Sequence, residues 1–159
     1  MRKALEHLRV LDMSRVLAGP FLAQNLADFG ADVIKVERPH HGDESRTFPP
    51  YLKDTTGTET EDSAYFMSTN RGKRSVTIDI SRSRGQELIK ELAARSDVLI
   101  ENYKVGDLKR YGLDYEASGT RGQRISRQQG KRQRRTKPAV RLTTIPLQEL
   151  HYSRVCSRS

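Results

Sequence analysis

Residues 8–38, LRVLDMSRVLAGPFLAQNLADFGADVIKVER, contain two short apolar runs separated by a turn and an amphipathic segment. The runs predict strands at residues 8–13 and 33–36, and the apolar spacing between them predicts a helix over residues 21–29. Pro20 suits the first helical position, because its missing N–H would have no partner there. Gly30 suits the position just past the helix end. This stretch therefore predicts a strand–helix–strand unit.

The chain continues with further strands and helices of the same kind. Alternating β-branched residues predict a strand over residues 75–80, and residues 97–101 form another apolar strand. A helix is predicted over residues 81–94 with Ser81 as its N-cap, and a short helix over residues 105–111 ends at Gly112. We interpret residues 39–62, which carry Asp43, Glu44 and Arg46, as a long solvated loop, and a catalytic role for these three side chains is the less favoured alternative. The order of elements predicts an α/β fold around a mostly parallel sheet.

The carboxyl ends of parallel strands are where such folds bind ligands. The loop of residues 15–20 and the ends of three strands meet at this edge, which carries four cations: Arg15, Arg38, Lys104 and Arg110. Cations near helix N-termini suit a phosphorylated ligand. Neither the G-x-G-x-x-G dinucleotide signature nor the P-loop signature is present, which argues against another nucleotide-using α/β enzyme. A purely structural strand–helix–strand unit remains an alternative on pattern alone.

Charge divides the 159 residues into two unequal parts. Residues 1–116 hold 18 basic and 19 acidic side chains, whereas residues 117–159 hold 11 basic side chains and one acidic one, Glu149. We therefore expect an enzyme-like domain over residues 1–116 and a disordered basic tail over residues 117–159. A sequence joined on by a frameshift or altered splicing is one explanation of the tail. The alternative is a non-enzymatic nucleic-acid-binding protein that acts through this arm, and non-specific polyanion binding is expected either way.

Composition also limits cofactors and compartment. Cys156 is the only cysteine, so neither an internal disulfide nor a thiolate metal cluster is available, and we expect no metal. No apolar run approaches the length of a membrane span and no signal peptide precedes the first strand, so we expect a cytoplasmic protein without membrane association.

Six blocks of sequence carry a family resemblance: RVLAGP (15–20), LADFGADVIKVERP (26–39), GDESR (42–46), NRGKRSVTIDI (70–80), SDVLIENY (96–103) and LKRYGLDYE (108–116). In this order they resemble the N-terminal part of a family III CoA-transferase, the CaiB/BaiF group of formyl-CoA and carnitine CoA-transferases. The match covers residues 8–116. The resemblance implies a Rossmann-like large domain, with coenzyme A bound as an acyl-CoA substrate and a carboxylic acid as the second substrate. It also implies an interlocked homodimer, which we do not extend to this chain alone.

The resemblance further implies which residues contact CoA. The first loop supplies Val16, Leu17 and Ala18, and the strand that ends in VIKVER supplies Arg38. The remaining contacts come from later strand ends and the short helix: Ile78, Asp79, Asn102, Tyr103, Lys104 and Arg110.

Catalysis in the resembled family needs an aspartate that becomes a mixed anhydride and then an aspartyl-CoA thioester. A carboxylate suits this role because attack on the acyl thioester divides the transfer into two easier steps. That aspartate lies beyond the matched region, and residues 117–159 contain no aspartate. We therefore assign no catalytic residue and expect the chain to be a truncated form that is inactive alone.

Overall fold

A computed structural model of the chain describes residues 2–114 and the backbone of residues 141–144. Two 3-10 turns, Glu44–Thr47 and Lys109–Tyr111, interrupt the helices and strands. These are β1 (Arg9–Asp12), α1 (Ala18–Asp28), β2 (Asp32–Glu37), β3 (Tyr51–Lys53), β4 (Glu59–Ser63), α2 (Ala64–Asn70), β5 (Arg74–Thr77), α3 (Ser83–Ala94), β6 (Val98–Glu101) and β7 (Arg141–Thr144). The order confirms the predicted α/β class.

The central sheet has the strand order β5-β2-β1-β6-β7. Its first four strands are parallel, and β7 pairs antiparallel with β6. Val10 in β1 lies opposite Val33 of β2 on one side and Val98 of β6 on the other. The predicted mostly parallel sheet is thereby confirmed. It places the carboxyl ends of β1, β2, β5 and β6 along one edge.

The core has two halves, one on each face of the sheet. Successive strand residues point to opposite faces, so the fully buried Val10 and Leu11 enter different clusters. On one face Val10 packs with Ala23 and Ala27 of α1. On the other face Leu11 packs with Ile89 of α3. Helices therefore cover both faces, as a buried parallel sheet requires.

Helix α1 begins earlier than predicted. It starts at Ala18, so Pro20 is its third residue and the prediction that Pro20 takes the first helical position is wrong. Proline is tolerated throughout the first turn, because none of the first N–H groups has a partner within the helix. The helix can begin here because Gly19 lies against Ser14, whose Cβ would be 2.2 Å from a Cβ on that glycine.

The C-terminal end of α1 is as predicted. Gly30 has a φ of 105°, a left-handed conformation that disfavours other residues. Its N–H donates to the Ala27 carbonyl at 2.8 Å, and the Ala31 N–H donates to Leu26 at 3.0 Å. These bonds satisfy carbonyls that the helix end would leave without partners.

Two regions contain more regular structure than the sequence predicted. Residues 39–62, interpreted as a loop, hold a 3-10 turn and the β3–β4 hairpin. Within residues 117–159, expected to be disordered, the described part is the strand β7. Helix α3 begins at Ser83 rather than after Ser81, and the Asp79 carboxylate accepts the Ser81 N–H at 2.9 Å.

Candidate functional site

A cleft lies at the carboxyl edge of the sheet, with about 320 Å³ of empty space that is partly open to solvent. Its walls come from the β1–α1 loop (residues 13–17), the end of β2 with the turn after it, and the segments that follow β5 and β6. The lining residues are Ser14, Arg15, Val36, Glu37, Arg38, Gly42, Asp43, Ile78, Ile80 and Tyr103. This is the edge at which the sequence placed the ligand.

The β1–α1 loop holds a backbone conformation that the surrounding residues impose. Val16 has a φ of 70°, which is unusual for a β-branched residue and costs about 1–3 kcal/mol. The Val16 N–H donates to the Asp43 carboxylate, 3.1 Å from Oδ1. Near the start of the loop, the Asp12 carboxylate accepts hydrogen bonds from the N–H and the hydroxyl of Ser14. Both ends of the loop are therefore held by buried carboxylates.

Asn102 clamps the middle of the same loop. Its side-chain Oδ1 accepts the Arg15 N–H at 2.9 Å, and its Nδ2 donates to the Arg15 carbonyl at 2.7 Å. Asn102, a predicted CoA contact, therefore uses both polar atoms of its side-chain amide to bind the loop backbone. It acts on the cleft by fixing the backbone from which the Arg15 side chain extends.

A buried ion pair supports the loop from beneath. Lys35 and Asp43 have side-chain exposures of 2% and 1%, and Lys35 Nζ lies 2.8 Å from Asp43 Oδ2. Lys35 also donates to the Ser14 carbonyl at 3.0 Å. Burial alone would raise the pKa of Asp43, but the charge and hydrogen bond of Lys35 hold that pKa below its usual range. The interpretation of Asp43 as part of a solvated loop is therefore wrong.

A sequence signal for this pair was available. Lys35 stands at a buried position of β2, in line with Val33 and Glu37 on the same face. A buried ammonium needs a carboxylate partner, because an unpaired charge in the interior is very unfavourable. Asp12, opposite Lys35 in β1, and the carboxylates of the following loop were the candidates, and Asp12 pairs with Lys73 instead.

Glu37 fixes the turn that carries Asp43. Its carboxylate is 3% exposed and binds Arg46 through two hydrogen bonds of 2.8 Å each. It also accepts the Ser75 hydroxyl at 2.7 Å and the Asp43 N–H at 3.0 Å. Burial would raise the pKa of Glu37, but these bonds outweigh it and lower the pKa to about 2. Arg46, also assigned to the solvated loop, is thus a partner of the sheet.

A second buried ion pair joins the start of α1 to the sheet. Lys73 Nζ lies 2.9 Å from Asp12 Oδ2, and the two side chains are 2% and 0% exposed. Lys73 also donates to the Pro20 carbonyl and to Asn70 Oδ1, each at 2.8 Å. Burial lowers the pKa of Lys73, while Asp12 opposes this shift. With Lys35–Asp43, it forms a rigid polar base under the cleft.

The outer wall of the cleft is cationic. Arg15 Nη1 lies 2.8 Å from Glu44 Oε1, and Arg38 Nη2 lies 3.5 Å from the same oxygen. The guanidinium of Arg15 sits 4.8 Å from the centre of the Tyr103 ring. Burial raises the pKa of the Tyr103 hydroxyl, so this side chain is neutral at physiological pH. Beside this wall α1 begins without a side-chain cap and without an acidic residue in its first turn.

The structure brings together some of the predicted contacts and not others. Arg38, Ile78 and Tyr103 line the cleft. Val16, Leu17, Ala18 and Asn102 belong to the adjoining loop, the start of α1 and the end of β6. Asp79, Lys104 and Arg110 are not among the described lining residues: Asp79 organises the turn before α3, and Arg110 lies 4.6 Å from the Tyr111 ring.

The arrangement favours an anionic ligand with an apolar or ring-containing body. Guanidiniums and a helix N-terminus without a side-chain cap attract anions, while Val36, Ile78 and Ile80 offer apolar contact. Within residues 2–114, no cluster of three or more His, Cys, Asp or Glu side chains is arranged to hold a metal ion. In the same part of the chain no helix has both the length and the apolar character to cross a membrane.

Comparison with known proteins gives a consistent family match. The model of the family described as CoA-transferase family III matches residues 5–125. Among curated relatives, the human succinyl-CoA:glutarate CoA-transferase is 51% identical over 115 residues, which are 72% of this chain and 25% of the relative. The formyl-CoA:oxalate CoA-transferase of Bradyrhizobium sp. is 47% identical over 116 residues, 73% of this chain and 26% of the relative.

Solved structures agree with the sequence comparison. A CAIB/BAIF family protein from Brucella suis shares 47% sequence identity with a TM-score of 0.67, covering 74% of this chain and 30% of that protein. The chain thus spans about a quarter of the length of the curated relatives it matches.

Proposed function

The chain belongs to CoA-transferase family III, and from this premise we propose that its cleft binds the CoA part of an acyl-CoA thioester. The observation that carries the proposal is the pair of guanidiniums, Arg15 and Arg38, beside the uncapped N-terminus of α1. CoA is a strongly anionic ligand with three phosphate groups. Charge-assisted bonds from arginine and free N–H groups of a helix are the interactions that phosphates favour.

The reaction we propose for the whole protein is CoA transfer between carboxylic acids. The C–S bond of the acyl-CoA donor breaks and a new C–S bond forms to the acyl carbon of the acceptor acid. One carboxylate oxygen of the acceptor passes to the donor acyl group, which leaves as a carboxylate. The names of the relatives include succinate, glutarate and oxalate, so we propose dicarboxylic acids as the substrate class.

The described carboxylates of the cleft are poor candidates for the attacking nucleophile. Glu37 accepts four hydrogen bonds and Asp43 is paired with Lys35, so their lone pairs are already engaged. We therefore propose that residues 2–114 hold CoA and that the 159-residue polypeptide does not transfer CoA by itself. The turnover assay supplies an acyl-CoA donor with a panel of dicarboxylates, and steady exchange above the no-protein control contradicts this part.

The proposed contacts divide into two groups. Arg38, Ile78 and Tyr103 contact the ligand directly from the cleft walls. The loop residues Val16, Leu17 and Ala18 contact it through exposed backbone and side chains at the start of α1. We retain Asp79, Asn102, Lys104 and Arg110 as predicted contacts, with Asn102 acting chiefly through Arg15. A homodimer, implied by the family, stays a prediction.

The test of CoA binding is a calorimetric titration of the 159-residue chain with CoA. Arg38→Ala removes one charge-assisted contact, worth about 1.5–3 kcal/mol, and should weaken binding by more than tenfold. Arg74→Ala is the matched control, because Arg74 binds Asp32 at the opposite edge of the sheet. Equal CoA affinities for the wild type and Arg38→Ala contradict the proposed site.

A further inference from the structure

We propose that Arg15 and Arg38 form one binding site for an oxyanion of the ligand, and that the Glu44 carboxylate fills this site until the ligand displaces it. The inference rests on the proposed function, since it specifies which groups of the same cleft receive the negative charge. It adds a role for Glu44, and it gives Arg15, one of the four cations predicted at this edge, a defined partner in Arg38.

The geometry is that of an anion site filled by an internal carboxylate. Both guanidiniums approach a single oxygen, Glu44 Oε1, at 2.8 Å and 3.5 Å. The three side chains are 31% (Arg15), 48% (Arg38) and 46% (Glu44) exposed, so the cluster is reached from solvent. Arg15, in the β1–α1 loop, and Arg38, just after β2, converge on one oxygen and would repel each other if that oxygen were removed.

Glu44 is held weakly enough to leave. The carboxylate of its neighbour Asp43 is buried and hydrogen-bonded to Ser45, whereas the Glu44 side chain projects from the 3-10 turn toward the arginines. Ion pairs between half-exposed side chains contribute little to stability, so a rotation of Glu44 into water is inexpensive. Glu37, by contrast, accepts hydrogen bonds from four donors and is almost fully buried, so its carboxylate is firmly held.

Arg15, by contrast, stays in place when Glu44 leaves. Asn102 fixes its backbone, and the Tyr103 ring lies 4.8 Å from the guanidinium carbon. Its Nε is buried and finds no hydrogen-bond partner among the described residues. The fork is therefore positioned by stacking, and an incoming oxyanion must replace the acceptor that Glu44 supplied.

Phosphate and carboxylate share the chemistry that this site requires. Both present two or more anionic oxygens that fit a guanidinium fork. A CoA thioester of a dicarboxylic acid contains both, so the probes must separate them. CoA carries the diphosphate and the 3′-phosphate, and 3′-dephospho-CoA carries the diphosphate alone. Pantetheine carries no charge, and glutarate carries carboxylates alone.

The test is calorimetry of Glu44→Gln in the 159-residue chain with each probe. Glutamine keeps the size of the side chain and removes the competing charge. We therefore expect the affinity for the probe whose anionic group occupies the site to rise about 3- to 10-fold. Asp32→Asn is the matched control, because Asp32 also receives two arginines, Arg9 and Arg74, but at the other edge of the sheet. Arg15→Gln should weaken binding of the same probe, and Glu44→Ala repeats the test with a second variant.

Each outcome has a defined meaning. Tighter binding of CoA and 3′-dephospho-CoA, of CoA alone, or of glutarate alone supports the site and identifies the diphosphate, the 3′-phosphate or an acid carboxylate as its occupant. Unchanged affinity for every probe, or tightening of uncharged pantetheine, overturns the inference. CoA binding that depends on Arg38, with no probe bound more tightly by Glu44→Gln, refutes the inference alone. Absence of CoA binding, with glutarate still tightened, refutes the proposed function alone.

Discussion

Replacement of Glu37 by glutamine should destabilise the fold in a pH-dependent way. Glu37 is 3% exposed, and its pKa falls from 4.5 in the unfolded chain to about 2 in the folded one. Because the folded pKa is lowered, its contribution to the free energy of unfolding is complete well above pH 4.5 and is lost as pH falls toward 2. A difference of this size corresponds to about 3 kcal/mol at pH 7 and about 1 kcal/mol at pH 3.

The assay is urea unfolding of the 159-residue chain at pH 7 and at pH 3, followed by circular dichroism. Glu37→Gln keeps the volume of the side chain but cannot carry the charge that Arg46, Ser75 and the Asp43 N–H bind. The free-energy difference between wild type and variant should be about 2–3 kcal/mol at pH 7 and should shrink at pH 3.

A surface glutamate provides the control for this measurement. Glu87 is 61% exposed and pairs with Arg84 on the same helix, so Glu87→Gln should change stability by less than about 0.5 kcal/mol at both pH values. A Glu37→Gln penalty that is equal at pH 7 and pH 3 refutes the reasoning. An equal penalty would mean that the shape of the Glu37 side chain contributes to stability and that its negative charge does not.

Two further substitutions test the base and the entrance of the cleft. Lys35→Met leaves Asp43 buried without its cation and should lower the free energy of unfolding in urea by about 3–5 kcal/mol. The double variant Lys35→Met/Asp43→Asn should recover part of that loss. A double variant less stable than Lys35→Met alone contradicts the ion-pair account. Gly19→Ala places a Cβ 2.2 Å from Ser14 Cβ. It should destabilise the fold by about 1–3 kcal/mol and weaken CoA binding. Unchanged stability and CoA affinity would show that this close contact does not fix the loop.

The sequence predicted the fold well where local rules and burial agree. β1 and β2 lie where the apolar runs placed them, α1 ends just before Gly30 as predicted, and Gly112 ends its 3-10 turn with a left-handed φ of 61°. Turn residues and apolar periodicity act over a few positions, so one sequence is enough to read them. The start of α1 was missed because Pro20 is compatible with every position of the first turn.

The site was harder to predict because its supports join distant parts of the chain. Arg38 lines the cleft at the predicted edge because it follows β2 directly, and its contact with CoA stays a prediction. The bonds from Asp43 to Lys35 and to Val16 connect residues 8 and 27 positions apart, and composition alone made Asp43 look solvated. A lysine in the middle of a buried strand indicated that a carboxylate partner was needed, but not whether Asp12 or a residue of the loop supplied it. The role of Asn102 as a clamp on Arg15 depends on side-chain geometry that no local pattern contains.

The central claim is that CoA binds the cleft at the carboxyl edge of the sheet. Two-dimensional NMR of the isotope-labelled 159-residue chain, titrated with CoA, tests it most directly. The account predicts that amide signals of Val16, Arg38, Ile78 and Tyr103 shift saturably, while those of Arg9, Asp32 and Arg74 at the opposite edge stay in place. Shifts confined to the opposite edge, or no saturable shift at any concentration of CoA, would contradict it.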